Sequence, residues 1–193
     1  MKLIKINTEA KSPLSSGEGV GSQPRLCGDE AKNMKLLLSK TSELPKIAEL
    51  AHKIWNIHYP PIVGQTQVDY MLNKFYSLPA LEQQVAGGQQ FYFTENEGQN
   101  IGFVALTLKE TYHLFINKFY IDNSQQGKGL GKQVFIAIQQ LYPHITKFTL
   151  TVNRQNYTAI NFYFKIGFTI KEVADFDIGD SYVMNDFVME WPK

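Results

Sequence analysis

From residue 34 onward, apolar and polar positions repeat with two different periods, and the period changes in blocks along the chain. Met34 opens "MKLLLSK", which reads as a first strand. In "TSELPKIAELAHKIWNIHY" the residues Ile47, Leu50, Ala51, Ile54 and His58 recur on one face at helical spacing, with Thr41 as a cap and Pro45 in the first turn. "YPPIVG" interrupts the pattern, and Val68, Met71, Leu72 and Phe75 define a second helical face. "SLPALEQQVAGG" predicts a third, shorter helix stopped by Gly87 and Gly88. Aromatic and β-branched runs then fill 89–121, broken at "ENEGQN" and near "LKET", as in a three-strand antiparallel meander. Leu130, Val134, Ala137, Ile138 and Leu141 form another helical stripe, stopped by Pro143. In "KFTLTVN", Phe148, Leu150 and Val152 alternate with threonines, as a strand requires. "NYTAINFYFKIG" is a short helix ending at Gly167, and "FTIKEVADF" and "SYVMNDFVMEW" are closing strands.

Residues 1–33 break this order. They are rich in Ser, Gly, Pro and charge and carry no sustained period, so they read as a disordered leader or a start assigned too early. Residues 34–193 are the expected domain.

The totals narrow the function by exclusion. The 193 residues carry 19 basic and 18 acidic side chains, a net charge of +1, which leaves no electrostatic footprint for nucleic acid or anionic lipid. Cys27 is the one cysteine, so a disulfide framework and a cysteine-cluster zinc site are both excluded. His52 and His58 share a helix, but the Glu of a zinc-protease helix is missing and no third ligand suggests itself, so no metal is expected. No apolar run approaches the ~20 residues of a membrane helix, and "MKLIKIN" is too short for a signal-peptide core. The chain reads as soluble and cytoplasmic.

The chemistry is concentrated in "QQGKGLGK", residues 125–132, between a strand and a helix. Gly127, Gly129 and Gly131 let the backbone take positive φ and let a ligand approach without a Cβ in the way. Free amides at the helix start, with the helix dipole behind them, form an anion site. Lys128 and Lys132 add charge at its rim. A magnesium-ATP loop is excluded, because Gln126 and Gln133 stand where its first Gly and its Ser/Thr belong. A dinucleotide fingerprint fails on glycine spacing and on the missing carboxylate about 20 residues later.

Gln126, Gly129 and Gly131 do satisfy Q-x-x-G-x-G, and "NYTAINFYFKIGF" satisfies N-x-x-A-x-x-F-Y-x-x-x-G-F through Asn156, Ala159, Phe162, Tyr163, Gly167 and Phe168. With both motifs in this order, the chain resembles the GNAT-type N-acetyltransferase superfamily from about Met34 to Glu190. The resemblance implies an α/β fold: a mixed, mostly antiparallel sheet split between its fourth and fifth strands, with helices on both faces. It implies acetyl-CoA as acyl donor, its pyrophosphate on Gln126, Gly127, Lys128, Gly129, Leu130, Gly131 and Lys132. The pantetheine arm would lie along Phe119, Tyr120 and Ile121, with Asn156 facing it, and Tyr163 would be the general acid. For the general base, Glu110, His113 and a water relay stay open.

The acceptor is read from charge. Glu172, Asp175, Asp177, Asp180, Asp186 and Glu190 stand against Lys171 and Lys193, and the loop at 175–181 is expected to border the acceptor pocket. This closing segment, with the "AHKIWNIHY" and "QVDYML" helices, is loosely similar to bacterial polyamine N-acetyltransferases, with Trp55, Tyr59 and Tyr70 as wall or core aromatics. The expected partner is a small-molecule primary amine such as a polyamine, with a second copy of the chain as an optional one. A protein N-terminus or lysine is the next acceptor. A non-catalytic acyl-CoA-binding module is the remaining reading.

Overall fold

The computed structural model describes residues 34–192, so the expected leader at 1–33 lies outside the described residues. β1 (Met34–Leu38) leads into four helices: α1 (Leu44–His58), α2 (Pro60–Val63), α3 (Gln65–Tyr76) and α4 (Leu78–Ala86). β2 (Gln90–Asn96), β3 (Gln99–Glu110) and β4 (His113–Ile121) form the meander. Then follow α5 (Leu130–Leu141), β5 (Lys147–Asn153), α6 (Tyr157–Lys165), β6 (Thr169–Gly179) and β7 (Tyr182–Pro192). Apart from α2, this is the expected element order.

Local details differ where short-range chemistry competes. Thr41 does not cap α1: a 3-10 turn over Thr41–Glu43 precedes the helix, and the Glu43 carboxylate accepts the Lys40 amide at 3.1 Å instead. "YPPIVG" is not a plain break but the single turn α2, because prolines suit a first helical turn and Gly64 at φ 82° ends it. Two hairpins turn on paired positive-φ residues, Glu97–Gly98 and Asp180–Ser181, the geometry whose twist matches the flanking strands.

The seven strands lie in the order β1-β2-β3-β4-β5-β7-β6, and only β4 with β5 is parallel. Apolar residues alternate between two cores. Phe91, Phe93, Phe103 and Ala105 meet α1, α3 and α4 through Ile47, Ala51, Ile54, Val68, Leu72 and Leu81. Val104, Leu106, Phe148, Leu150 and Met189 meet α5 and α6 on the other face through Val134, Phe135, Ile138 and Ile160. Helices therefore cover both faces of the sheet.

One irregularity prepares the site. On β4, Ile116 pairs with Leu106 and Lys118 pairs with Ala105, so Asn117 is an extra residue with no partner on β3. The bulge inverts the alternation. Leu114 and Ile116 face α5, and beyond Asn117 it is Phe119 and Ile121 that do so, while Lys118 and Tyr120 turn toward α1. Pairing with β5 covers only His113–Ile116 on β4 and Lys147–Leu150 on β5. The strands part from Asn117 onward. Among the described residues, no helix is long and apolar enough to cross a membrane.

Candidate active site

Where β4 and β5 part, a cavity of about 970 Å³ crosses the sheet. Phe119, Ile121 and Phe162 line it from the α5 side; Lys118, Tyr120, Tyr59 and Tyr76 line it from the α1 side. The β5-facing edge of β4 from Asn117 to Ile121 has no strand partner among the described residues, so its backbone groups are free for a ligand.

At one end of the cavity stands the glycine loop. Gly127 and Gly129 take φ of 80° and 74° with open space where a Cβ would sit, so the backbone itself requires them. Gly131 is helical and is needed for another reason: a Cβ there would lie 2.9 Å from the Phe162 ring. The two sequence motifs meet at that contact. Among the described residues, the amides of Gly129, Leu130 and Gly131 make no well-formed hydrogen bond, as expected of a first helical turn awaiting an anion. Lys132 lines the cavity; Lys128 does not, its Nζ donating to Gln125 Oε1 at 2.9 Å. Gln126 also braces the loop, donating to Asn123 Oδ1 at 2.8 Å and Ile121 O at 3.4 Å.

The start of α6 forms the next wall. Asn156 is 4 % exposed, and its Oδ1 accepts the Ala159 amide at 3.2 Å, capping the helix. The same oxygen lies 3.3 Å from His58 Nε2. Since Oδ1 can only accept, that contact requires the proton on His58 Nε2. Tyr163 is buried in the wall, edge-on to Phe119 with ring centroids 6.3 Å apart. Its hydroxyl has no hydrogen-bond partner among the described residues. Burial, and next to it the neighbouring Tyr59, push its ionisation well above the ordinary phenol value, so it stays protonated. Thus Tyr163, Phe119, Tyr120, Ile121, Asn156 and the loop residues except Lys128 share one cavity.

On the α1 side the wall is aromatic and polar together. Trp55 stacks on Tyr59 at 4.2 Å, and Tyr76 donates to the Tyr120 hydroxyl at 3.3 Å. Burial raises Tyr59, Tyr76 and Tyr120, so all three keep their protons. Tyr70 instead holds the frame together, its hydroxyl donating to Ile178 O at 2.5 Å and tying the β6–β7 hairpin to α3. Two charged groups are unusual. Lys118 donates to Gln84 Oε1 at 2.5 Å, and burial brings it down to about 7. Asp186 on β7 lines the cavity at 6 % exposure, and burial lifts it to about 6.

Two expectations about charge are corrected. Glu110 ends β3 and pairs with His113, which opens β4 at its paired end, about 25 Å along the strand from Ile121, and neither lines the cavity. His113 Nε2 is 2.7 Å from Thr149 Oγ1 there. The acidic loop is also absent from the lining: Asp175 pairs with Arg154 at 2.5 Å, and Asp177 accepts the Gly179 amide at 2.8 Å. Asp186 and Met184, further along β7, reach the cavity instead. Asp186 carried a partial signal, standing in "MNDFVMEW" where strand alternation sets it opposite Phe187.

A split mixed sheet with a glycine-loop anion site and a buried tyrosine at the split defines a class of acyl-CoA-dependent transferase. A sequence model described as the acetyltransferase (GNAT) domain matches residues 61–177, and the chain belongs to this family. It is an N-acetyltransferase that takes its acetyl group from acetyl-CoA. The chain is 27 % identical to the peptidyl-lysine N-acetyltransferase YiaC of Escherichia coli over 154 residues, 80 % of this chain and 94 % of that protein. It is 31 % identical to the spermine/spermidine N(1)-acetyltransferase of Bacillus subtilis over 91 residues, 42 % of this chain and 60 % of that one. The PaiA N-acetyltransferase of Thermoplasma acidophilum, solved with coenzyme A, superposes with a TM-score of 0.67 at 21 % identity, over 83 % of this chain and 99 % of that one.

Proposed function

We propose that the cavity holds acetyl-CoA across the split and serves acetylation of a primary amine borne on a single cationic stem, as on a lysine side chain. The observation that carries this reading is the cavity's acidic content. Among the described lining residues Asp186 is the one carboxylate, while Lys118, Lys132 and Lys165 also line the wall. A polyamine brings several ammonium groups and calls for several spaced carboxylates. One ammonium needs one.

The donor half follows from the free donors. The amides of Gly129, Leu130 and Gly131, with Gly127 shaping the turn, bind the pyrophosphate, and Lys132 adds charge. Gln126 braces the loop, and Lys128 acts at its rim. The open edge at Phe119, Tyr120 and Ile121 holds the pantetheine arm and turns its amides toward the reacting carbonyl, where fixed dipoles lower a barrier by several kcal/mol. Asn156 orients the arm from the other wall. Acetyl-CoA supplies the thioester. Tyr163, kept protonated by burial, donates to the departing sulfur. A cytoplasmic site of action fits this donor.

The test is thiol release from acetyl-CoA by the full chain, with a lysine peptide blocked at its N-terminus, a peptide with a free N-terminus, putrescine and spermidine. Release with the blocked lysine peptide is the expected result. Release with polyamines alone overturns the single-ammonium reading in favour of the second one, which the Bacillus relative supports.

A further inference from the structure

We propose that Asp186 receives the acceptor's ammonium group and takes the proton that makes the amine a nucleophile. This rests on the reading of the cavity as an amine acetylation site and adds the group which that reading lacks.

Three observations carry it. Asp186 sits opposite Asn153, the last residue of β5, so it stands where the sheet has already opened. Alternation turns its side chain with Thr151 and Asn153 toward α1, away from the core formed by Val152 and Phe187. It is therefore on the same side of the sheet as Tyr120, and it faces the Tyr59 hydroxyl closely enough for its charge to oppose ionisation there. Finally, a buried carboxylate is normally satisfied by hydrogen bonds or a cation. Asp186 has the Thr151 hydroxyl as a hydrogen-bond donor, but no ion-pair partner within 4 Å among the described residues. The nearest guanidinium, Arg154, is spent on Asp175. An acid buried in a ligand cavity with one hydroxyl donor and no cation beside it is matched by an ammonium.

The surroundings set its titration. His58 and Tyr59 face this region from α1, Lys118 and Tyr120 from β4, Tyr163 from α6, Arg154 from beyond β5 and Asp175 from β6. Burial is the largest influence on Asp186, Thr151 and Arg154 partly oppose it, and Asp175 adds to it. The result, about 6, leaves Asp186 ionised at neutral pH yet more basic than a surface carboxylate. Lys118 shows what the same wall does to an alkyl amine: burial alone brings it to about 7. An acceptor amine desolvated beside it comes close to Asp186 in proton affinity.

The proton balance is simple. One proton passes from the ammonium to the Asp186 carboxylate and later to solvent. The neutral nitrogen forms the C–N bond as the C–S bond breaks. Tyr163 gives its proton to the thiolate, and the phenolate regains the second proton from the new amide nitrogen. The sum is amine acetylation with release of free thiol and one proton.

The experiment compares wild type, Asp186→Asn and Asp186→Glu in the full chain, using acetyl-CoA affinity and kcat/KM from pH 6 to 9.5. The acceptors are the blocked lysine peptide and trifluoroethylamine, an amine already neutral at pH 7. Asp186→Asn should lower kcat/KM for the lysine peptide about 100-fold at pH 7, with the deficit shrinking as pH rises. Trifluoroethylamine should react with that variant within about threefold of wild type, acetyl-CoA affinity should hold, and Asp186→Glu should recover part of the loss. An equal deficit with both amines, or one independent of pH, overturns the proton-accepting role. Loss of acetyl-CoA affinity in Asp186→Asn overturns it in favour of a structural role. A wild type that binds acetyl-CoA and acetylates none of the amines tested defeats the acceptor reading itself, and this inference falls with it.

Discussion

Gly131 and Phe162 occupy each other's space: a methyl group on the glycine would lie 2.9 Å from the ring's Cε2. The two segments that carry the family resemblance are thus one packed unit, with the start of α5 seated on α6. Gly131→Ala should weaken acetyl-CoA binding several-fold by pushing the first-turn amides off their ligand. Phe162→Leu should relieve part of that in the double variant, a coupling that a double-mutant cycle on acetyl-CoA Kd measures directly. Gly129→Ala has open space but a left-handed φ of 74°, so its penalty of about 1–2 kcal/mol should appear whatever stands at 162.

Tyr163→Phe removes a hydroxyl that has no hydrogen-bond partner among the described residues, so thermal stability should hold or rise slightly. Turnover should fall about 100-fold or more, with acetyl-CoA Kd unchanged. Because the phenol stays protonated far into the alkaline range, its ionisation should leave no descending limb in the kcat profile below pH 9.5. A mutant with wild-type turnover removes Tyr163 from the chemistry.

Asp186 also makes stability depend on pH. Its folded value of about 6 lies above the reference 3.8, so between those values the folded chain holds a proton that the unfolded chain has lost. Its favourable contribution is complete below pH 3.8 and is gone as pH rises through about 6. Asp186→Asn should therefore raise Tm at pH 7–8, by roughly 1–3 kcal/mol in stability, and should lose the advantage near pH 4. Calorimetry across that range checks the sign.

Lys118 runs the other way. Its folded value of about 7 lies below 10.5, so its contribution is present above pH 10.5 and lost as pH falls through about 7. Lys118→Met should stabilise most below pH 7 and least near pH 10.5, since Gln84 Oε1 keeps its bond from Gln89 Nε2 at 3.0 Å. A flat difference in Tm over that range would refute the buried-amine account.

The glycine loop and the α6 wall of the cavity are legible in sequence because their pattern is local: glycines at fixed offsets, a helix start, and an aromatic pair followed by a glycine stop. The strand and helix periods likewise follow from neighbours a few residues apart. The acceptor half is not local. The bulge at Asn117 inverts which β4 side chains face α1, and nothing in "FINKFYI" announces it. Glu110 and His113 looked suitable because sequence does not say which end of β4 stays joined to β5. The acidic loop misled for a similar reason, since Asp175 is neutralised by Arg154, 21 positions earlier in the chain. Asp186, the carboxylate that does reach the cavity, stands in a strand whose sequence does not mark it out from the other five acids of the closing segment.

The parallel junction between β4 and β5 is four residue pairs long, and it is the only strand pairing between the β1–β4 and β5–β7 halves among the described residues. Beyond it, in the proposed reading, the donor lies where further rungs of the ladder would have been. Bound there, it is at once a reactant and a missing piece of scaffold: one wall of the acceptor's chamber is made of the first substrate. That reading carries a catalytic order with it, donor before acceptor, with the spent thiol leaving last.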